Sequence, residues 1–184
     1  MPDLYRVFPY VASSRATEPG GRLYIPPQRA GRIDNPGLYS VLYLSDQAAG
    51  AIAEAFGRFA EWTPAILKGS PALPGSSRAI ARYRLPEEVA VCNLDDAEQL
   101  SALGLRPSDV VSRDYERTRG WARKLYERGT WAGVRWWSYY DPRWGSYGLW
   151  DSSRLTLEEV RLLRLEEPAL VEAGRIIMRR IVNG

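Results

Sequence analysis

An arginine, a tyrosine and a glutamate recur at near-regular intervals through residues 31–57, GRIDNPGLYSVLYLSDQAAGAIAEAFG. Arg32 lies in a turn-rich loop and Tyr43 in the apolar run 41–44. Glu54 stands in a segment otherwise made mostly of alanine, isoleucine and phenylalanine. Such an order can bring a cation, a ring and a carboxylate into one cleft. Gly31, Asn35, Pro36 and Gly37 permit close backbone approach to a ligand. A guanidinium among them can hold a phosphate or ribose oxygen with two directed hydrogen bonds. Gly50, Ala51, Ala53 and Ala55 leave room around the Glu54 carboxylate.

Each of these residues also has a plainer account. Arg32 fits a solvated loop arginine, as most arginines are exposed. Glu54 fits a surface acid pairing with Arg58 one helical turn later, a contact worth only about 0.2–0.5 kcal/mol. Tyr43 fits a core tyrosine whose hydroxyl finds a partner at the edge. Ser138, at the end of an apolar strand, suits either a ligand contact or a strand-ending residue. The stretch WAGVRWWSYYDPRWGSYGLWD holds four of the seven tryptophans between Trp131 and Trp144. Its rings suit core or rim packing, and they also keep open a second reading: a basic, aromatic-rich nucleic-acid or protein binding module without catalysis.

The elements that must position these groups follow from local patterning. The first forty residues are broken by prolines and glycines and carry one short strand at 4–8. A strand at 38–44 runs into a helix at 47–59 with Ile52, Phe56 and Phe59 at helical spacing. After a Gly/Pro/Ser loop at 68–77 come strands at 79–84 and 89–93 and a short helix at 95–103. The acidic group Asp95, Asp96 and Glu98 reads as the charged start of that helix rather than a metal site. A longer helix spans 112–128, with Gly129 as its left-handed stop. Aromatic strands follow at 131–137 and 146–150, alternation placing Val134, Trp136 and Ser138 on one face. A strand at 161–165 closes the set, and Pro168 opens a last helix with Leu170, Ile177 and Ile181 apolar. Short strands interspersed with helices, without regular βαβ alternation, predict an α+β fold forming one domain over residues 1–184.

Composition narrows the function classes. The chain has 184 residues, 45% of them hydrophobic and 26% charged, as expected of a globular domain. A net charge of +3 and a pI near 9.1 favour a phosphate-bearing ligand mildly. They fall short of the clustered charge of a dedicated nucleic-acid binder. There is no histidine and a single cysteine, Cys92. That removes intramolecular disulfides, the usual zinc sites and histidine-assisted nucleophiles. Neither GxxxxGKS nor GxGxxG occurs. No metal is assigned. No run is long enough to cross a bilayer, and MPDLYRVFPYVASS lacks the layout of a secretory signal. A soluble cytoplasmic protein is expected.

The chain resembles the RES domain proteins, toxins of RES–Xre toxin–antitoxin pairs named for an arginine, a glutamate and a serine. The resemblance runs through LYRVFP, the block GRIDNPGLYSVLYLS with AIAEAFG, then RDYERTRGWARKLYERGTWAGVRWWS and GSYGLWD, in the family's order. The family's arginine falls on Arg32, its tyrosine on Tyr43, its glutamate on Glu54 and its serine on Ser138. By the same resemblance Arg6, in the opening YRV, would be a further arginine of the pocket. Ile33 stands where an aromatic often follows the arginine, and Trp137 where a small residue often precedes the serine. Nothing is carried over for the segment between Lys68 and Ser112.

The resemblance implies a fold similar to the ADP-ribosyltransferase toxins and an enzyme that takes NAD as substrate, with no resident cofactor. It implies an Xre-like antitoxin as partner, and water, inorganic phosphate or a protein as acceptor. Within it, Glu54 would stabilise the oxocarbenium-like ribose as nicotinamide departs. Arg32 and Arg6 would hold pyrophosphate or ribose oxygens, Tyr43 would wall the nicotinamide, and Ser138 would orient the amide or ribose.

Overall fold

Strands β1 (Asp3–Tyr10) and β4 (Ser77–Arg84) form the longest antiparallel pair of a seven-stranded mixed sheet. The computed structural model describes residues 2–183. The remaining strands of this sheet are β2 (Leu42–Ser45), β5 (Val91–Asn93), β6 (Gly133–Trp137), β7 (Gly145–Leu149) and β8 (Thr156–Leu162). Their order is β5-β6-β7-β2-β1-β4-β8. Only β5 and β6 run parallel; every other neighbouring pair is antiparallel. Helices α1 (Ala48–Phe56), α2 (Ala97–Ala102), α3 (Pro107–Val110), α4 (Tyr115–Glu127) and α5 (Pro168–Ile176) flank it. A short parallel pair, β3 (Glu61–Trp62) with β9 (Arg180–Ile181), completes the α+β fold.

Side-chain alternation sorts the core into three apolar clusters. Leu4 and Phe8 of β1, Leu42 and Leu44 of β2, Ala79, Ala81 and Tyr83 of β4 and Leu149 of β7 bury together. The intervening β1 residues Tyr5 and Val7 point the other way, toward α1 and α5. There Ala49, Ile52, Ala53 and Phe56, spaced as one helix face, pack with Trp62, Leu170 and Ala173. A separate cluster joins α2, α3 and α4 to β5 and β6 through Leu100, Val110, Trp121, Leu125, Cys92 and Val134. The helical layer is thus in two halves, one over each end of the sheet.

Between those halves the sheet itself parts. Strands β1 and β2 are neighbours, yet they pair through Tyr5 and Ser45 alone. Further antiparallel register would set Arg6, Val7 and Phe8 against Leu44, Tyr43 and Leu42, and none of those pairs forms. β2 is instead paired along its whole length to β7, and β1 along its whole length to β4. Each strand is held by its outer neighbour, and a gap opens between them.

Several boundaries differ from the sequence expectation. The strand expected at 38–44 starts at Leu42, because the Tyr39 N–H turns back to the Asn35 carbonyl and the Val41 N–H and carbonyl pair with the Gln28 side-chain amide. Helix α1 ends at Phe56; Gly57 caps it and Phe59 lies outside, 38% exposed. The strand expected at 161–165 lies at Thr156–Leu162. Its charged residues Glu158 and Glu159 pair with Arg84 and Arg82 of β4, so this edge strand carries little apolar alternation to read. Leu163 and Leu165 are buried just beyond it. Ile181 is not in the last helix but in β9, because Met178 turns the chain with φ 54. Helix α3 was not anticipated. Asp96 and Asp114 cap α2 and α4 by accepting from backbone N–H groups, and Gly129 adopts φ 66 as expected of a stop.

Candidate functional site

The gap between β1 and β2 is the floor of a cavity of about 400 Å³. Tyr5, Arg6 and Val7 line it from β1, and Tyr43, Leu44 and Ser45 from β2. Ala51, Glu54 and Ala55 of α1 form one wall. Gly31 and Arg32 of the preceding loop, with Trp136, Tyr115 and Tyr139, form the other. Local chemistry explains how each group arrives there.

The loop carrying Arg32 is tied by a buried acid, Asp34, which is 3% exposed. Its Oδ2 accepts from the Gly31 N–H at 2.7 Å and its Oδ1 from the Tyr43 hydroxyl at 2.6 Å. The Ile33 N–H also donates to the Tyr43 oxygen, at 3.3 Å. These contacts pin the loop to β2. A Cβ on Gly31 would lie 2.4 Å from both Asp34 Oδ1 and the Tyr43 oxygen, so only glycine fits this approach. Arg32 Nη1 then donates to the carbonyls of Val110 at 3.1 Å and Ser112 at 2.5 Å. Its guanidinium lies 5.9 Å from the Tyr115 ring centroid. It is no solvated loop arginine. Burial lowers its pKa, opposed by Tyr115, Glu54 and Tyr43.

Tyr43 presents its ring to the cavity and keeps its hydroxyl for Asp34. Burial, then the bond to Asp34, raises its phenol pKa well above the ordinary value, so the hydroxyl stays protonated as a donor. Trp136 meets the Tyr43 ring edge-on at 6.5 Å, giving an aromatic corner.

Glu54 projects from α1 opposite the buried face Ala49, Ile52, Ala53 and Phe56. Ser138, just past the end of β6 and 2% exposed, donates its hydroxyl to Glu54 Oε1 at 2.7 Å. The Tyr140 N–H donates in turn to the Ser138 oxygen at 3.2 Å, and the Ser138 N–H to the Trp144 carbonyl at 2.7 Å. The serine is therefore oriented before it reaches the carboxylate. Ser138 is not among the residues lining the cavity; it contacts Glu54. Surrounding protein raises the Glu54 pKa, opposed by the Ser138 hydrogen bond and by the charge of Arg32. Solvent still reaches the side chain, which counts as exposed, and that contact with water tempers the rise. Among the described residues no ion pair joins Glu54 to Arg58, whose guanidinium lies over Phe59 at 4.8 Å.

Arg6 lines the cavity from β1, but its guanidinium donates to the carbonyls of Arg22 at 3.2 Å and Tyr24 at 2.7 Å. Burial lowers its pKa, opposed by Tyr83. Arg6 thus closes the far side of the gap and braces the 22–24 loop. Ile33 is fully buried in the core, where its Cδ1 would meet a Cβ placed on Gly148; it does not line the cavity. No group of three or more His, Cys, Asp or Glu side chains among the described residues is arranged to hold a metal ion.

Four of the five residues singled out from the sequence, Arg6, Arg32, Tyr43 and Glu54, line one cavity, and the fifth, Ser138, bonds to Glu54. Missed from sequence were Asp34, which ties the loop, and Tyr115 and Tyr139 at the opening. Asp34 had a local signal, an acid in a turn three residues after Gly31. The tyrosines had none beyond being aromatic. The arrangement supplies a guanidinium able to hold phosphate or ribose oxygens, flat walls for a planar ring, and an oriented carboxylate able to stabilise a positive charge.

Comparison with known proteins agrees with this architecture. A chain of the crystal structure of the M. tuberculosis MbcT-MbcA toxin–antitoxin complex is similar with a TM-score of 0.60 and 17% identity. The match covers 96% of this chain and 89% of that one. At that identity the likeness concerns the fold. No curated protein matches the chain. The RES domain model matches residues 3–170, and the chain belongs to the RES domain family.

Proposed function

We propose that this RES domain protein is the toxin of a toxin–antitoxin pair and acts by cleaving the nicotinamide–ribose bond of NAD in the cytoplasm. The observation that carries the reading is the Glu54 carboxylate, aligned by Ser138 at 2.7 Å on the wall of a cavity that also holds Arg32 and the Tyr43 ring. Family membership and the fold shared with a chain of a toxin–antitoxin complex support the biological setting. The partner would be an Xre-like antitoxin.

The chemistry needs no histidine. Nicotinamide in NAD is already a cationic leaving group, so the carbon–nitrogen bond breaks with its electron pair passing to the ring nitrogen, and the base departs neutral. Positive charge moves to the ribose, where the Glu54 carboxylate stabilises it. Arg32 holds pyrophosphate or ribose oxygens, and the Tyr43 and Trp136 rings wall the nicotinamide. Water, phosphate or a protein nucleophile then attacks the ribosyl carbon, and any proton it carries passes to the Glu54 carboxylate or to solvent.

Incubating the purified protein with NAD, with and without inorganic phosphate, and resolving the products tests this directly. Free nicotinamide is expected, with ADP-ribose, its phosphorylated form or a modified protein identifying the acceptor. No nicotinamide release, together with salt-sensitive nucleic-acid binding, would replace this reading with the binding module.

A further inference from the structure

Two tyrosines at the opening of the cavity are placed as if for a second planar ligand group. Tyr139 is 63% exposed and Tyr115 39% exposed, and both line the cavity. Exposed rings are free to swing unless held, and these are held. Arg113 Nη2 donates to the Tyr139 hydroxyl at 2.9 Å, and its guanidinium lies 5.5 Å from that ring's centroid. The Tyr140 ring meets Tyr139 edge-on at 5.6 Å. Two guanidiniums lie near the Tyr115 ring, Arg32 at 5.9 Å and Arg119 at 5.6 Å from its centroid. Arg119 is itself anchored on the carbonyls of Gly31 and Arg29.

Charge points the same way. Among the described residues, Arg32, Arg113 and Arg119 make no ion pair with a carboxylate, whereas neighbouring Arg117 and Arg135 do. Arg113 and Arg119 thus add positive charge beside exposed rings, while the charge of Arg32 is shared with the Glu54 carboxylate deeper in the cavity. That combination suits a base attached to a pyrophosphate: a ring to stack on tyrosine, and phosphate oxygens for guanidinium groups.

We propose that Tyr139 and Tyr115, with Arg113 holding Tyr139, form a clamp at the cavity mouth for the second base of a dinucleotide. The inference rests on the NAD-cleaving reading and deepens it. The reacting nucleoside enters between β1 and β2 beside Glu54, the pyrophosphate passes Arg32, and the distal base stacks outside. The clamp makes the protein select a dinucleotide over the corresponding mononucleotide.

Steady-state kinetics with NAD and with nicotinamide mononucleotide provide the test. Tyr139→Ala is expected to raise the KM for NAD about tenfold while moving that for the mononucleotide far less, so that the preference between them collapses. Tyr139→Phe keeps the ring and retains most of the preference. Equal shifts for both substrates, or no shift for either, would overturn the clamp. Should the wild-type protein turn over neither substrate, the catalytic reading fails, and calorimetric titration with ADP judges the clamp separately. Binding weakened about tenfold by Tyr139→Ala supports it; absent or unaltered binding overturns it.

Discussion

The Ser138 hydroxyl donates to Glu54 Oε1 at 2.7 Å, joining residues 84 apart in the chain. One sits just past the end of β6, the other in the last turn of α1, and the contact ties that helix to the sheet beside the cavity. A carboxylate on a surface helix would sample several rotamers; this one is fixed by a buried donor that is itself fixed by the Tyr140 N–H. The site is thus built with its charge already oriented, which is the condition under which a carboxylate stabilises a transition state without reorganising.

Replacing the charge while keeping the shape isolates that role. Glu54→Gln can still accept from Ser138 through its amide oxygen, so the fold is retained, and NAD cleavage is expected to fall on the order of a hundredfold or more. Stability should move the other way. Because the folded-state pKa of Glu54 is raised, the folded protein binds the proton more tightly than the unfolded chain, and stability falls as pH rises from about 4 through the folded value. The variant should therefore melt at a temperature no lower than wild type at neutral pH, with the difference fading in acid. A normal rate of nicotinamide release would reject the assignment.

Ser138→Ala removes the group that holds the Glu54 pKa down against burial. Activity needs the ionised carboxylate, so it is present above the folded pKa and lost as pH falls through it. Without the serine that acid limb is expected at higher pH, and kcat near neutrality drops about tenfold, as for the loss of a charge-assisted hydrogen bond. A pH profile that scales down without moving would assign Ser138 a packing role only.

Arg32→Lys keeps the charge but gives up the planar fork that spans Val110, Ser112 and the cavity. Lysine is not its equivalent at such a site. The KM for NAD is expected to rise roughly ten- to a hundredfold, with kcat less affected; an unchanged KM would show that other cations hold the substrate.

Tyr43→Phe separates wall from anchor. The ring remains, but Asp34 Oδ1 loses its 2.6 Å donor in a nearly solvent-free position. A buried group left without its partner costs about 1–3 kcal/mol, which lowers Tm by roughly 2–12 °C at this chain length. Thermal melting checks it. If stability is untouched and turnover collapses, the hydroxyl acts on substrate rather than on Asp34.

The residues themselves were legible in the chain. Gly31, Arg32, Tyr43 and Glu54 fall within one block, and helix spacing and turn residues located α1, α4 and most central strands, because those signals are local: which face is apolar, where a cap or a glycine stops a helix. What local signals cannot carry is pairing. Whether β1 meets β2 along its length or at Tyr5 and Ser45 alone depends on each strand's outer partner, β4 and β7, and that choice opens the cavity. The edge strand β8 lies earlier than the 161–165 expected, because its charges pair across to β4 rather than alternate with apolar residues. The same holds for Ser138: its type suited a ligand contact, and only tertiary packing turned its hydroxyl toward Glu54.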